Sequence, residues 1–178
     1  AIFDKSKPIR GGVPVCWPWF ADIYPQSQQI DAQANKELPA HGFVRTQDWH
    51  VVALEENDKA STVTMSPNEM GKFGFPKDVA LSIEITFAEQ CTLRLVTHNQ
   101  SERAVVITAA LHSYFAIPNI EQTSIEGIVG EFCDKTRNSG MFQQDNPYLI
   151  KSETDRIHFS SHTNSLNKIE LKMRRIVT

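Results

Sequence analysis

Five polar residues stand out in this 178-residue chain because of what surrounds them: Arg10, His41, Arg45, His112 and Asp134. Arg10 precedes a glycine pair in Ile9-Arg10-Gly11-Gly12, and Arg45 closes the run His41-Gly42-Phe43-Val44-Arg45. A guanidinium carries a permanent charge and a fork of N–H donors, so two of them beside loop glycines suit a phosphate. A histidine at a strand end can give or take a proton near neutral pH. These residue types favour recognition of a small anion, with acid–base work beside it.

Other chemistries find less support. His158-x-x-x-His162 has a spacing that zinc sites use, but it falls in a serine-rich stretch without a matching Cys, Asp or Glu. Exposed or locally hydrogen-bonded histidines are the expectation there, and no metal. The chain has no G-x-S-x-G elbow, no G-K-[ST] phosphate loop and no G-x-G-x-x-G turn. Serine nucleophiles, ATP and dinucleotides are therefore not indicated, and no cofactor is expected. A net charge of −3 offers no electrostatic footprint for nucleic acid or an anionic membrane. Cys16, Cys91 and Cys133 are odd in number, far apart and outside any C-x-x-C. They form neither a disulfide framework nor a zinc signature, which points to a reducing, cytoplasmic setting. The longest apolar runs, such as Ala104–Leu111, are too short to span a bilayer. The N-terminus has no secretory pattern, and Ala1 is not an initiator methionine, which suggests a chain that begins inside a longer protein or is processed.

The elements that must position the five residues are short and β-like. Arg10 sits in Lys7–Phe20, K-P-I-R-G-G-V-P-V-C-W-P-W-F, whose prolines and glycines suit neither a helix interior nor a central strand. It reads as a rigid, irregular segment holding Arg10 beside an aromatic wall of Trp17, Trp19 and Phe20; the plainer alternative is that the tryptophans fill core. Residues 21–40 form a polar connection ending in the dense run L-P-A-H-G-F-V-R.

Strands are expected over Trp49–Leu54, Ser61–Ser66, Val79–Ala88, Cys91–Asn99, Arg103–Leu111 and Ser124–Phe132. The cleanest alternation is Leu81, Ile83, Ile85 and Phe87 against Ser82, Glu84 and Thr86. His112 falls at or just past a strand end. β-Branched residues dominate the apolar runs and helical periodicity is weak, so the fold class is all-β, an antiparallel meander within a sandwich. Lys151–Thr178 differs from the rest, with six basic and three acidic residues, and reads as a solvated strand or tail face.

The runs I-R-G-G-V-P-V-C-W-P-W-F, L-P-A-H-G-F-V-R and L-H-S-Y-F, in that order, resemble the hexose-6-phosphate mutarotases (glucose-6-phosphate 1-epimerases) of the aldose 1-epimerase group. The resemblance spans Lys7 to about Lys135. It implies a large antiparallel β-sandwich that interconverts the α and β anomers of a hexose 6-phosphate without metal or organic cofactor. It further implies that His112 is the general acid of ring opening and that Arg10 and Arg45 bind substrate, chiefly its phosphate. Asp134, in Gly130-Glu131-Phe132-Cys133-Asp134-Lys135, matches a G-x-x-x-D-K context and would contact the sugar. His41 would lie in the same substrate-facing segment.

The group's base is a glutamate in a W-N-P-type context. None of Glu121, Glu126, Glu153 or Glu170 has that context. The expectation is thus a single, incomplete β-sandwich domain over residues 1–178, truncated or altered at its C-terminus, with 151–178 atypical. It would act as a monomer on a small sugar phosphate, without nucleic-acid or membrane partners. The alternative is a non-catalytic carbohydrate- or sugar-phosphate-binding domain that lacks the base.

Overall fold

The computed structural model describes Ser6, residues 9–21 and 38–159, and the backbone of 170–173; Lys7, Pro8, most of the 21–40 connection, His162 and most of the basic run 168–175 lie outside the described residues. The chain divides into two compact units, Ala1–Phe115 and Ala116–Thr178.

In the first unit, β2 (Trp49–Asn57), β3 (Ala60–Pro67), β4 (Val79–Phe87) and β5 (Cys91–Asn99) form an antiparallel meander in that order. Val79, Leu81 and Ile83 are buried while the intervening Ala80, Ser82 and Glu84 are half-buried, so one face turns inward. The register carries that face across the sheet, pairing Ile83 with Leu95 and with Met65, and Ile85 with Leu93 and with Val63. The other face is polar. There the Thr62 and Thr86 hydroxyls lie 3.0 Å apart, and Arg94 donates to Glu84 at 2.9 Å. Strand β2 outruns its expected end at Leu54 because the turn is tighter than the polar stretch suggests. Asn57 Oδ1 accepts from the N–H groups of Lys59 and Ala60, which closes the hairpin at once.

A second layer packs on the inner face. It is built on β1 (Val15–Cys16) and β6 (Ala110–Leu111), paired antiparallel with Val15 opposite Leu111. The same register continues on both sides: Thr108 N–H donates to Pro18 O at 3.0 Å, His112 N–H to Pro14 O at 2.9 Å, and Tyr114 N–H to Gly12 O at 2.9 Å. Pro14 and Pro18 have no N–H to return, so those pairs hold one bond where a regular pair holds two. The strand expected over Arg103–Leu111 therefore shortens to β6, although Val105 and Ile107 still pack against the core.

Alternation along the opening segment sorts its side chains. Val15, Trp17 and Trp19 enter the core beside Phe43, Val44, Phe75, Val79, Leu81 and Ile83, and both tryptophans are fully buried. Their indole N–H groups donate to Thr97 Oγ1 at 3.0 Å and to Pro39 O at 2.9 Å, so burial leaves neither orphaned. Of the expected aromatic wall, Trp17 and Trp19 are core, and Phe20 is the ring that stays outside.

The second unit contains two three-stranded antiparallel sheets. One orders β10 (Tyr148–Leu149), β7 (Thr123–Glu126) and β12 (Glu170–Met173); the other orders β11 (Arg156–His158), β8 (Gly130–Asp134) and β9 (Gly140–Gln144). The single strand expected over Ser124–Phe132 is two strands, β7 and β8. Gly127 at φ +88° and Gly130 at φ +100° take up left-handed backbone that breaks the extended run. Phe132 and Tyr148 are buried, with the Arg156 guanidinium over both rings at 4.3 and 4.9 Å from their centroids. Among the described residues no helix is long and apolar enough to cross a membrane.

Two groups make the second unit sensitive to acid. The Thr136 hydroxyl, donating to Asp134 at 2.6 Å, holds that carboxyl below its ordinary value against an opposing push from burial; the Thr136 N–H and Arg156 add to the lowering. Burial, and then the Arg156 charge, push the His158 imidazole below its ordinary value. As pH falls below about 6.5 the unfolded chain takes up the histidine proton first, and below about 3.9 it takes up the aspartate proton first. Both effects favour unfolding as acid is added. All three tryptophans (Trp17, Trp19, Trp49) lie in the first unit. Loss of far-ultraviolet circular dichroism with unchanged tryptophan emission would therefore report the second unit alone. Acid titration is expected to show that separation, with a weaker pH dependence below about 3.9 in Asp134→Asn. Simultaneous loss of both signals would contradict it.

Candidate functional site

Three segments of the first unit meet at a cleft of about 360 Å³, within the range of small-molecule pockets. The opening segment contributes Ile9, Arg10, Pro14 and Cys16; the second contributes Ala40, His41 and Arg45; the third contributes His112 and Tyr114. The parity that sends Val15, Trp17 and Trp19 into the core turns Pro14 and Cys16 toward the cleft, opposite His112 and Ala110 in the ladder.

The segments are joined main chain to main chain. Phe43 N–H donates to Trp17 O at 3.2 Å and His41 N–H to Ala21 O at 2.9 Å. His41 and Gly42 are both left-handed, at φ +67° and +74°, so the chain turns sharply there. A left-handed histidine is a strained conformation of the kind that gathers at functional sites. Its Nδ1 accepts the Ala21 N–H at 3.2 Å, which fixes the ring. A short 3-10 turn, Val44–Thr46, follows and presents Arg45 to solvent while burying Val44.

The cleft is cationic. None of its lining residues is a carboxylate, and it holds two arginines and two histidines. Arg45 spends one Nη2 donor on Ala40 O at 3.0 Å, which aims the guanidinium and leaves other donors of its fork available. Arg10 is exposed, and among the described residues no carboxylate pairs with it. Three lining rings follow one another, His41 6.0 Å from His112 and His112 4.9 Å from Tyr114, and Phe20, outside the lining, lies 5.0 Å from His41. Burial pushes the Cys16 thiol up against the smaller, opposing pull of Arg45, so it contributes a neutral thiol rather than a thiolate.

Four of the five residues singled out in the sequence (Arg10, His41, Arg45 and His112) line this one cleft. Asp134 belongs to the second unit, where it is 2% exposed. Its Oδ1 accepts from the Thr136 N–H and hydroxyl, and its Oδ2 from Arg156 Nε at 3.2 Å. Sequence reasoning passed over Tyr114, Pro14, Cys16 and Ile9 as lining residues. Period two starting from His112 reaches Tyr114, and the same step along the opening segment links Pro14 to Cys16. Among the described residues no group of three or more His, Cys, Asp or Glu is arranged to hold a metal.

The sequence profile of the family described as aldose 1-epimerase matches residues 1–169. The chain belongs to the aldose 1-epimerase family. A relative from Escherichia coli (strain K12), provisionally named a glucose-6-phosphate 1-epimerase, is 32% identical over 161 residues, covering 89% of this chain and 50% of its own length. Another of that provisional name, from Salmonella typhimurium (strain LT2), is 30% identical over 162 residues, with 89% and 50% covered. The crystal structure of a Salmonella typhimurium protein, provisionally titled a mutarotase, superposes with a TM-score of 0.67 at 30% identity over 87% of this chain and 49% of that one. The likeness agrees with the all-β, antiparallel architecture. The chain spans about half the length of the curated relatives it matches.

Proposed function

We propose that this chain carries the phosphate-binding and proton-donating part of an aldose 1-epimerase site that interconverts the anomers of a hexose 6-phosphate. The observation that carries the reading is the convergence of Arg10 and Arg45 with His112 in one cleft that no carboxylate lines. In this reading the arginines hold the 6-phosphate, so that remote binding energy orients the sugar. His112, protonated, donates to the ring oxygen while a base takes the proton from the O1 hydroxyl. The C1–ring oxygen bond breaks to give the open aldehyde, C1–C2 rotates, and closure on the other face yields the other anomer. His41, held by Ala21, faces the sugar. Asp134, the further sugar contact that the resemblance implies, is buried within the second unit, with Oδ1 held by Thr136 and Oδ2 by Arg156.

A carboxylate base has to come from outside the cleft lining. That favours a second reading, in which the chain binds a sugar phosphate without turning it over. Anomer exchange of glucose 6-phosphate followed by NMR, together with calorimetric binding of glucose 6-phosphate and glucose, separates the two. Binding of the phosphorylated sugar without faster exchange would select the second reading, and no binding would overturn both.

The arginines make the sharper prediction. Arg10→Ala and Arg45→Ala should each weaken glucose 6-phosphate by roughly tenfold to a hundredfold, the worth of a hydrogen bond to a charged group. Glucose itself should be little affected. Equal losses for the two ligands would remove the phosphate from this cleft.

A further inference from the structure

We infer that Tyr114 is the positioning residue for His112, acting through its ring rather than its hydroxyl. This rests on the reading of His112 as proton donor, but the contact that carries it does not. His41 has a hydrogen bond to hold its imidazole; His112 has none, since among the described residues no protein group bonds to either of its ring nitrogens. What brackets the His112 ring is aromatic on both sides. His41 meets it edge-on at 6.0 Å and 76°, and Tyr114 lies beside it at 4.9 Å and 31°. An exposed imidazole without such neighbours would sample several rotamers, and only one of them can point a nitrogen at a given substrate atom.

Tyr114 is suited to this because its own backbone is fixed. Its N–H donates to Gly12 O at 2.9 Å, two residues from Arg10, while His112 N–H donates to Pro14 O at 2.9 Å. Residues 112 and 114 share one side of the ladder by alternation, so the tyrosine ring rises next to the imidazole from the following position on the same face. The ladder that seats Tyr114 is also the one that carries Arg10. The grip on the anion and the aim of the acid are thereby tied to one stretch of backbone. Among the described residues the phenol hydroxyl has no hydrogen-bond partner, and Tyr114 is 36% exposed, so the ring makes the contact with His112.

Histidine imidazole NMR on the full chain tests this whether or not the chain turns over substrate. In Tyr114→Ala the His112 ring protons are expected to lose the ring-current shift of the neighbouring aromatic and to show averaged rotamers. Tyr114→Phe should leave them at their wild-type positions. Unmoved His112 resonances in Tyr114→Ala, or movement of equal size in Tyr114→Phe, would overturn the assignment. Tyr114→Leu serves as the ringless variant if the alanine form melts early.

The kinetic arm uses anomer exchange. Tyr114→Ala should lower kcat by about 10- to 100-fold, the cost of a misplaced catalytic group, with KM near wild type and activity restored by Phe. A raised KM with kcat unchanged would make Tyr114 a ligand contact and sink the proposal. Absence of exchange in the wild-type chain itself would instead count against the mutarotase reading and leave the NMR result standing.

Discussion

Gly42→Ala is expected to destabilise the first unit by about 3 kcal/mol or more. Two causes coincide. Gly42 is left-handed at φ +74°, where an L side chain is strained. Its added Cβ would also overlap the carbonyl carbon and oxygen of Trp17, which are backbone atoms and cannot swing aside. That carbonyl already accepts the Phe43 N–H, and Trp17 and Gly42 form a parallel bridge. Relief would require the two segments to separate, pulling Trp17 from its pocket beside Phe75 and shifting His41 and Arg45. Gly12 is the matched control. It too is left-handed, at φ +70°, but a Cβ there meets nothing within 4 Å. Gly12→Ala should therefore show only the conformational cost, about 1 kcal/mol. Urea unfolding followed by tryptophan emission measures both, because every tryptophan is in this unit. A Gly42→Ala midpoint close to that of Gly12→Ala would show that the segments are not in contact as described.

The largest effect on function is expected at His112. His112→Asn keeps a polar side chain of similar reach but removes a group that can deliver a proton near neutral pH. Anomer exchange should fall by about 10²- to 10⁴-fold, the usual worth of one positioned proton transfer. Binding of glucose 6-phosphate should persist, since the proposed function gives the phosphate to Arg10 and Arg45. The pair of measurements matters more than either alone: lost exchange with retained binding is the signature of an acid. Lost binding would make His112 a ligand-holding residue, and retained exchange would move the proton donor elsewhere.

The strands that could be read from sequence were those with room for alternation. Val79–Asn99 offers an apolar–polar alternation over two nine-residue runs, and the structure pairs them throughout, Val79 with Asn99 to Phe87 with Cys91. The opening segment hid the same period, because its prolines argue against a strand while its parity still sorts Trp17 into the core and Cys16 toward the cleft. Prolines forbid donors, not side-chain alternation. Residues 124–132 misled in the opposite way: apolar residues recur through the run at Ile125, Ile128, Val129 and Phe132, but Gly127 and Gly130 break the backbone.

At the site, charge and motif were enough to single out Arg10, His41, Arg45 and His112. Tyr114 was not visible as a site residue, since a tyrosine following a histidine by two positions is ordinary in any strand. Its meaning depends on which face of the ladder is open. The partners of Asp134 were hidden for another reason: Thr136 is local, but Arg156 reaches it through the β8–β11 pairing, twenty-two residues on.

The three segments around the cleft are fastened to one another through peptide groups: Tyr114 to Gly12, His112 to Pro14, Phe43 to Trp17 and His41 to Ala21. Peptide groups are common to all residues, so most of these fastenings survive a change of side chain. The cleft can thus be retuned without being rebuilt. Replacing the side chains at positions 10 and 45 alters the charge of the cleft, and doing so at 114 alters the surroundings of the His112 ring, while the loops stay where the main chain holds them. A scaffold of this kind separates what is recognised from what is folded, and it would let related chains diverge in ligand while keeping one backbone.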